Sequence, residues 1–520
     1  MSHVILFTDR ASEQRHRFNS TLSTVQYNFL SGAYKVASVL RKQGLTVLVV
    51  PNCFNLSWAG VQHIINNNSE NLLWVGLSTT FFTIQVPKTI ELYRSSWHES
   101  KSFVIDTEVL YQLTSTTTET PWDMVWSAKE FSKIAKWLLN KHKVPLLLGG
   151  KPFPVWHQTQ FDSNAYWVKG DAESYVKKFT NDCLADKQSI PPLFVNNSDY
   201  DNNDFKTDII LYNHGDHINS DDWLPIEIAR GCAFNCAYCT YEHKDTTDLY
   251  KNPAVLRDEL LRNYEMFGVT KYMLMDDLYN DSKDKIRLLY DQVWSKLPFT
   301  PEWTSYLRLD MLWADPESVD IIKASGARYA TFGVETLHDT AGRKVGKGLG
   351  KQRILDTLQT LKDSWQDSVL YNLQMIAGLP HEPIESILES LEWSKTTTLA
   401  HSISWNPLVI SKDFLVSAME VNNNKYGVTW SGKEWKNSVG VTKQMVDESV
   451  GEYYKNNEYY RVHLGNYPEL RSAGLSHQDI VTVPKTPLDD LPLTSLGMDL
   501  KQKVNARLEK ILTISNKDTT

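Results

Sequence analysis

Residues 229–239 read Ala-Arg-Gly-Cys-Ala-Phe-Asn-Cys-Ala-Tyr-Cys and are the most informative stretch of the chain. Cys232, Cys236 and Cys239 have C-x-x-x-C-x-x-C spacing and follow a predicted strand at 226–228. This spacing lets one loop turn its thiolates toward one metal centre. Iron–sulfur clusters of the cubane type usually take four thiolates, so a triad leaves one iron open to an external ligand. The loop therefore favours an iron–sulfur cluster.

Two other interpretations of the loop remain open at this point. A zinc ion wants four tetrahedral ligands, and His243, or His214 and His217, would have to complete the set. Alternatively, the cysteines are small buried apolar residues, which their crowding on a polar loop disfavours. The other cysteines, Cys53 and Cys183, lie far apart in the sequence, so we expect them to be structural and predict no auxiliary cluster.

Composition excludes several classes of protein. At roughly 150 residues per domain, a length of 520 predicts three or four domains, and 42% hydrophobic residues can fill their cores. The 54 Lys and Arg residues against 62 Asp and Glu residues give a net charge of −8, which does not favour a nucleic-acid partner. Five cysteines are too few, and odd in number, for a disulfide framework.

The sequence also predicts a cytoplasmic protein without a membrane partner. No apolar run approaches the roughly 20 residues that a membrane-spanning helix needs. The first apolar stretch, Val4–Phe7, is soon followed by Asp9 and Arg10, which argues against a secretory signal.

The cysteine loop opens a series of alternating strands and helices. Strands are predicted at 226–228, 272–275, 303–307, 329–332, 372–376 and 403–405. Helices between them include 254–267 and 317–325. Six such units predict a partial or complete α/β barrel, whose site lies at the carboxyl ends of the strands.

The N-terminal part of the chain shows the same alternation. Strands are predicted at 4–8, 46–51, 72–78, 144–148 and 165–169. A helix is predicted from the spacing of Phe131, Ile134, Ala135 and Leu138. This α/β pattern predicts a flavodoxin-like doubly wound domain with ligands beyond the carboxyl ends of its strands. Those ends carry Ser78, Gly149, Gly150 and the loop at 170–173, although a glycine pair alone is more often a turn than a ligand contact.

Composition shifts divide the chain into four parts. Residues 1–185 form the first α/β domain, and 186–222, rich in Pro, Asn and Asp, are predicted to be a linker. The barrel spans 223–412, and a mainly helical region with an amphipathic helix at 499–514 occupies 413–520. Residues 84–122 fit the alternation poorly and are treated as an insertion of unknown role.

Five motifs in order over residues 224–407 resemble the radical S-adenosylmethionine (radical SAM) superfamily. They are the cysteine loop with Tyr238 before its last cysteine, Leu274-Met275-Asp276-Asp277, Arg308 on the third strand, Phe332-Gly333-Val334-Glu335-Thr336 with Lys344 to Gly348, and Gly378-Leu379-Pro380-His381-Glu382. The last motif departs from the family pattern because His381 replaces the usual glycine. The resemblance implies a 4Fe–4S cluster on the three cysteines, with S-adenosylmethionine at the open iron.

The resemblance also implies roles for other side chains. Asp276 and Asp277 would receive the amino group of S-adenosylmethionine, although helix capping is an equal alternative for each. Arg308 would lie near the substrate or the methionine carboxylate. Glu335 would bind a cofactor hydroxyl or amine, because a carboxylate ending a buried strand needs a partner. Tyr238 would pack beside the adenine, or simply pack within the loop.

The first domain is similar in order to the cobalamin-binding domain that precedes many radical SAM barrels. In that case Ser78, Gly149 and Gly150 would face the corrin tail. The D-x-H-x-x-G segment of some relatives is absent, since Asp9 is followed by Arg10 and Ala11. This departure argues against a histidine ligand to cobalt more than against cobalamin. A degenerate domain without the cofactor also remains open.

The leading functional hypothesis is a radical SAM enzyme that reductively cleaves S-adenosylmethionine to modify an unactivated carbon, by cobalamin-dependent methyl transfer. The first alternative is cobalamin-free hydrogen abstraction or rearrangement. The second is a zinc-stabilised binding module without catalysis. An enzyme of this kind needs an electron donor such as flavodoxin or ferredoxin, and its substrate, a small molecule or a peptide, cannot be read from the sequence.

Overall fold

The computed structural model describes most of the chain. The described residues are 2–8, 31–51, 53, 58–78, 83–84, 125–126, 128–150, 165–170, 172–185, 194–197, 202–241, 249–276, 278–410, 417–431, 434–456 and 510. Several predictions lie outside them: Asp277, His243, nearly all of the insertion at 84–122, and the helix at 499–514 apart from Lys510.

The first α/β domain contains all five predicted strands, with ends shifted by a few residues. Its strands are β1 (Val4–Phe7), β2 (Val47–Val50), β3 (Trp74–Ser78), β4 (Thr83–Ile84), β5 (Val125–Trp126), β6 (Leu146–Gly150), β7 (Ala165–Gly170) and β8 (Phe194–Asn197). Six of them form a parallel sheet in the order β2-β1-β3-β6-β7-β8, while β4 and β5 pair separately. This is the flavodoxin-like order extended by one strand, which confirms the predicted α/β class.

Helices connect these parallel strands. They are α1 (Ser31–Lys42), α2 (Trp58–Asn67), α3 (Ala128–His142) and α4 (Glu173–Leu184). The helix predicted around Ile134 is α3, and it buries Ala135 and Leu138 against the sheet core. It ends where Lys143 adopts a positive φ of 60°, just before β6.

Residues 186–222, predicted to be a linker, contain regular secondary structure. They contain β8, which pairs in parallel with β7, and the short helix α5 (Asn202–Thr207). Periodicity did not reveal β8, because an edge strand has one neighbour and tolerates polar residues such as Asn196 and Asn197. The first sheet therefore extends past the predicted boundary at 185.

The second sheet is a six-stranded parallel sheet in the order β16-β15-β14-β13-β12-β9. The strands of this region are β9 (Trp223–Ile226), β10 (Ala229–Arg230), β11 (Leu249–Tyr250), β12 (Lys271–Leu274), β13 (Glu302–Leu307), β14 (Ala327–Glu335), β15 (Leu370–Ala377) and β16 (Ser402–Pro407). The short β10 and β11 form an antiparallel pair beside it. The partial barrel of six β/α units is thus confirmed, although its first strand ends at Ile226 rather than running over 226–228.

Helices cover the outer face of the second sheet. They are α6 (Pro253–Phe267), α7 (Lys283–Gln292), α8 (Leu309–Ala314), α9 (Glu317–Ala324), α10 (Asp339–Val345), α11 (Lys351–Trp365) and α12 (Ile384–Thr396). Large side chains that alternate along the strands pack under them. Trp303 of β13 donates its indole N–H to Ser325 O after α9, and Trp405 of β16 donates to Ser394 Oγ of α12. The alternate residues therefore face the concave side of the sheet.

The described part of the C-terminal region mixes helices with a hairpin. Its elements are α13 (Ala418–Val421), α14 (Asn423–Tyr426), β17 (Thr429–Ser431), β18 (Glu434–Lys436) and α15 (Lys443–Asn456). Trp435 of β18 is buried and donates to Leu408 O beyond β16, so this region packs on the barrel. Among the described helices, none has the length and apolar character needed to cross a membrane.

Candidate active site

The cysteine loop is held from both ends at the carboxyl edge of the barrel sheet. Gly231, with φ of 106°, turns the chain out of β10. Ala237 N donates to Val345 O at the end of α10, at 3.0 Å, and Cys239 N donates to Cys236 O at 3.1 Å. Cys236 is buried, whereas Cys232 and Cys239 are partly exposed. The loop therefore presents its thiols on a fixed backbone.

Asp276 anchors the entry to this loop. Its buried carboxylate Oδ1 accepts hydrogen bonds from Ile228 N and Ala229 N, both at 2.9 Å. The carboxyl end of β12 thereby fixes the backbone just before the cysteines. The predicted role of Asp276 toward an amino group stays a prediction, and its neighbour Asp277 lies outside the described residues.

Arg308 lies directly after β13 and points into the cysteine loop. Its Nη1 donates to Cys236 Sγ at 3.3 Å, and its guanidinium lies 3.7 Å from the ring centroid of Phe234. Asp310 accepts from Nε at 2.9 Å and from Nη2 at 2.5 Å, and Gly346 O accepts from Nη2 at 3.1 Å. This buried cation thus contacts one of the three predicted cluster ligands.

Tyr238, Glu335 and Lys347 meet at the carboxyl end of β14. The hydroxyl of Tyr238 donates to Glu335 Oε1 at 2.7 Å, and Lys347 Nζ lies 3.7 Å from the same oxygen. Lys347 also donates to Gly333 O at 2.7 Å. Burial raises the pKa of Glu335, which the lysine and the tyrosine partly offset. Glu335 has a positive φ of 70°, a strained conformation that clusters at functional sites.

Glu382 fixes the turn after β15. Its Oε2 accepts from Gly378 N at 3.1 Å and Leu379 N at 3.2 Å, while Oε1 pairs with Thr336 Oγ1 at 2.5 Å. Thr336 directly follows Glu335, so this fully buried carboxyl ties two neighbouring strand ends together. Burial raises the pKa of Glu382 to about 7, with hydrogen bonds from Thr336 and the backbone opposing the shift.

The concave face of the sheet is polar and uncharged near the middle of β15 and β16. Ser402 Oγ and Ser404 Oγ donate to Asn372 Oδ1 at 2.8 and 3.1 Å. Gln374 pairs in register with Ser404 and with Gly333 of β14. These side chains are partly exposed and lie below the strand ends that carry Glu335. They offer neutral hydrogen-bonding groups to a molecule bound in the barrel.

The donor set of the loop is three thiols, the number that a cubane cluster with one open iron takes from the protein. Within the described residues, His214 and His217 included, no three His, Cys, Asp or Glu side chains are arranged to hold one metal ion. A 4Fe–4S cluster makes a different demand, because its thiolates bind different irons. Cys232, Cys236 and Cys239 on one anchored loop meet that demand.

Two neighbouring strands of the first sheet, β3 and β6, end in small residues at its carboxyl edge. Ser78 of β3 lies in register beside Gly149 of β6, and both are partly exposed. A Cβ added at Gly149 would meet no atom of the described residues within 4 Å, whereas one added at Gly76 would lie 2.5 Å from Leu6 Cδ2. Gly149 therefore presents backbone without a side chain at this edge, and Gly150 directly follows it as the last residue of β6.

A cluster of charges connects the first domain to the cysteine loop. Lys35 of α1 contacts Glu173 at 3.0 Å and Glu227 at 2.6 Å. Arg230, two residues before the first cysteine, contacts Glu173 at 2.9 Å and Glu227 at 2.7 Å. All four side chains are largely buried, so the strands of the barrel and the helices of the first domain are fixed to each other here.

The comparisons with known proteins agree with this geometry. The model of the radical SAM superfamily matches residues 226–394, which contain the cysteine loop, Arg308, Glu335 and Glu382. The chain carries a radical SAM domain. A radical SAM domain implies a 4Fe–4S cluster and S-adenosylmethionine as cofactors. No curated protein matches the sequence.

Solved structures are similar to the whole chain, first domain included. One is the radical S-adenosylmethionine methyltransferase TsrM from Kitasatospora setae with cobalamin and a [4Fe–4S] cluster bound, with 14% identity, coverage of 100% of both chains and a TM-score of 0.58. The same protein with tryptophan substrate and a SAM analogue has 14% identity, coverage of 100% of both chains and a TM-score of 0.56. The cobalamin-dependent radical enzyme OxsB has 12% identity, coverage of 99% of this chain and 84% of that chain, and a TM-score of 0.50. At these identities the similarity shows the fold.

Several residues of the candidate site were not singled out from the sequence. Asp310 and Phe234 were not singled out, although Asp310 lies two residues after Arg308 and could have been predicted as its ion-pair partner. Lys347 lies in the recognised Lys344–Gly348 segment but was given no role. The interdomain charges of Lys35 and Glu227 had no sequence signal, because their partners are distant along the chain.

Proposed function

We propose that this radical SAM enzyme is a cobalamin-dependent methyltransferase that modifies an unactivated carbon. The observation that carries the proposal is the combination of two folds in one chain. A flavodoxin-order sheet with Ser78 and Gly149 at its carboxyl edge precedes a barrel whose carboxyl edge carries the cysteine loop. The methyltransferase TsrM has the same overall fold over its full length, with cobalamin and a [4Fe–4S] cluster bound.

Cys232, Cys236 and Cys239 would hold the cluster. When bound, the reduced cluster supplies the electron that cleaves S-adenosylmethionine. The protein contributes position and exclusion of water, since the cofactors carry the difficult chemistry. Asp276 keeps the loop entry in place, and Glu335, held by Tyr238, offers a buried carboxylate to a cofactor hydroxyl or amine.

A corrinoid would bind at the carboxyl edge of the first sheet. Ligands of doubly wound folds bind beyond the carboxyl ends of the strands. Ser78 supplies a hydroxyl there, and Gly149 permits close approach of a ligand to the backbone. Gly150 continues the same edge. The absence of the D-x-H-x-x-G segment from the sequence predicts a cobalamin without a histidine ligand from that motif.

The concave face of the barrel is the proposed substrate site. Asn372, Ser402 and Ser404 offer neutral donors and acceptors below the cofactor residues. We propose a small-molecule or peptide substrate, and an electron donor of the flavodoxin or ferredoxin class. The odd, sparse cysteine count favours a reducing compartment, so we assign the protein to the cytoplasm.

Anaerobic purification and reconstitution with iron, sulfide and cobalamin tests this function. We expect about four irons and one corrinoid per chain, and cleavage of S-adenosylmethionine after chemical reduction. A methyl group labelled in S-adenosylmethionine should then appear on cobalamin. Cluster and cleavage without corrinoid would favour hydrogen abstraction instead. A colourless protein with stoichiometric zinc would overturn the enzyme proposal.

A further inference from the structure

Arg308 is held against the cysteine loop by Cys236 and Phe234, and in place by Asp310 and Gly346. Four of its five N–H groups have partners: two donate to Asp310, one to Gly346 O and one to Cys236 Sγ. Its π face lies 3.7 Å from the ring centroid of Phe234. Arg308 is 5% exposed, so water does not compete for these contacts.

This arrangement leaves little of Arg308 for a substrate or a methionine carboxylate. A carboxylate is usually gripped by two parallel N–H groups of one arginine, and the guanidinium has a single N–H left. The pairing with Asp310 already uses the forked geometry. Arg308 is therefore placed to act on the thiolate that it contacts.

We propose that Arg308 sets the reduction potential of the 4Fe–4S cluster through its hydrogen bond to Cys236 Sγ. Hydrogen bonds to cluster sulfurs and nearby positive charge are established determinants of iron–sulfur potentials. Reduction adds one electron from an external reductant to the cluster, so a cationic donor at the sulfur stabilises the reduced state. Arg308 thus acts as a positioning residue that makes the cluster easier to reduce. The inference rests on the cluster of the proposed function.

The test is a potentiometric titration of the reconstituted enzyme in the absence of S-adenosylmethionine. Electron paramagnetic resonance measures the reduced cluster at each potential. Arg308→Gln removes the charge and most of the donors, and we expect its midpoint potential to become more negative by about 59 mV, which corresponds to about tenfold in the reduction equilibrium. Arg308→Lys keeps the charge but loses the fork, so its shift should be smaller and in the same direction. If the glutamine variant takes up no cluster, the midpoint potential of Arg308→Lys alone tests the role of Arg308.

A matched control is Arg328→Gln. Arg328 lies near the amino end of β14, away from the cysteine loop. It also lies over an aromatic ring, that of Tyr329 at 5.7 Å, and donates to Asp367 O and Ser368 O. Its removal should leave the midpoint potential of the cluster unchanged. Equal potentials in wild type and both Arg308 variants would overturn the inference. So would a shift that occurs only when S-adenosylmethionine is present, because Arg308 would then act through that cofactor.

Iron content separates failure of this inference from failure of the proposed function. A wild-type chain that binds no 4Fe–4S cluster contradicts the proposed function itself. A chain with a full cluster and normal cleavage of S-adenosylmethionine, but unshifted potentials in the Arg308 variants, contradicts only the role of Arg308.

Discussion

The two parallel six-stranded sheets of this chain present their carboxyl edges in different ways. The barrel edge carries ionisable side chains, among them Arg308, Glu335 and Glu382, each held by hydrogen bonds. The edge of the first sheet carries the small residues Ser78 and Gly149 at the ends of β3 and β6, which leave the backbone with little side-chain cover. A site made of side-chain chemistry leaves motifs in a sequence, whereas a site made of backbone and space leaves little more than strand ends.

The largest effect is expected when one of the predicted cluster ligands at the barrel edge is removed. Cys236→Ala should abolish cluster binding and cleavage of S-adenosylmethionine, because two thiolates cannot replace three on the loop. Corrinoid binding by the first domain should survive. Iron content and visible absorption measure the first effect, and retained corrinoid measures the second.

Cys183→Ser is the matched control for that experiment. Cys183 lies on α4 in the first domain, and burial raises the pKa of its thiol to about 12, as expected of a structural cysteine. Its substitution should leave iron content unchanged. Full iron content in the Cys236 variant would contradict the assignment of the loop.

The sequence predicted the strands of the barrel and the positions of the candidate residues after them, for a physical reason. Strands such as β13 and β15 have buried apolar residues with period two, and the cysteines and Glu335 lie at fixed offsets from them. In contrast, the contact between Arg308 and Cys236 joins residues 72 positions apart, which periodicity cannot indicate. The edge strand β8 was missed because its polar residues resemble those of a linker.

The second prediction adds a side chain to the carboxyl edge of the first sheet. Gly149→Leu places it where a Cβ meets no atom of the described residues within 4 Å, so we expect the fold to tolerate it. The same side chain would occupy the proposed corrinoid site. We expect corrinoid retention to fall by about tenfold or more, the size of a few lost contacts, with iron content unchanged.

Gly451→Leu is a matched control, since a Cβ at Gly451 in α15, outside the first domain, also meets no atom of the described residues within 4 Å. This variant should retain corrinoid like the wild type. Undiminished corrinoid binding in the Gly149 variant would remove this edge from the proposed site and leave the first domain without an assigned ligand surface.

The third prediction addresses the charged side of the comparison. Glu335→Gln keeps the shape of the side chain but removes the negative charge of the carboxylate. Lys347 and Tyr238 stabilise that charge by an ion pair and a hydrogen bond. Hydrogen bonds to a charged group contribute about 1.5–3 kcal/mol, so affinity for S-adenosylmethionine should fall by about tenfold to a hundredfold. Anaerobic equilibrium dialysis measures this effect without turnover.

The exposed Glu392 of α12 supplies the control, as Glu392→Gln alters a carboxylate whose contact is the surface lysine Lys395. It should bind S-adenosylmethionine normally. If Glu335→Gln also bound normally, the carboxylate would serve only to hold the loop through Tyr238.

The smallest effect concerns the pH dependence of stability at Glu382. Its pKa is raised from 4.5 to about 7 by burial, so the folded chain binds the proton more tightly than the unfolded chain. The stability that protonation contributes is fully present below pH 4.5 and is lost as the pH rises through about 7. A neutral carboxyl can donate to Thr336 Oγ1 while Oε2 still accepts from the turn.

Glu382→Gln should remove this dependence, because the amide can donate to Thr336 and accept from Gly378 N and Leu379 N at every pH. At about 1.4 kcal/mol per pKa unit, the variant should gain about 2–3 kcal/mol relative to wild type between pH 4.5 and 8. Denaturant unfolding of both proteins at several pH values gives two curves of unfolding free energy against pH. The contributions of the other titrating groups cancel in the difference between these curves. Parallel curves would mean that Glu382 is ionised at every pH tested and that a buried carboxylate holds the two strand ends. The barrel edge would then carry a buried negative charge at Glu382, which the edge of the first sheet lacks at Ser78 and Gly149.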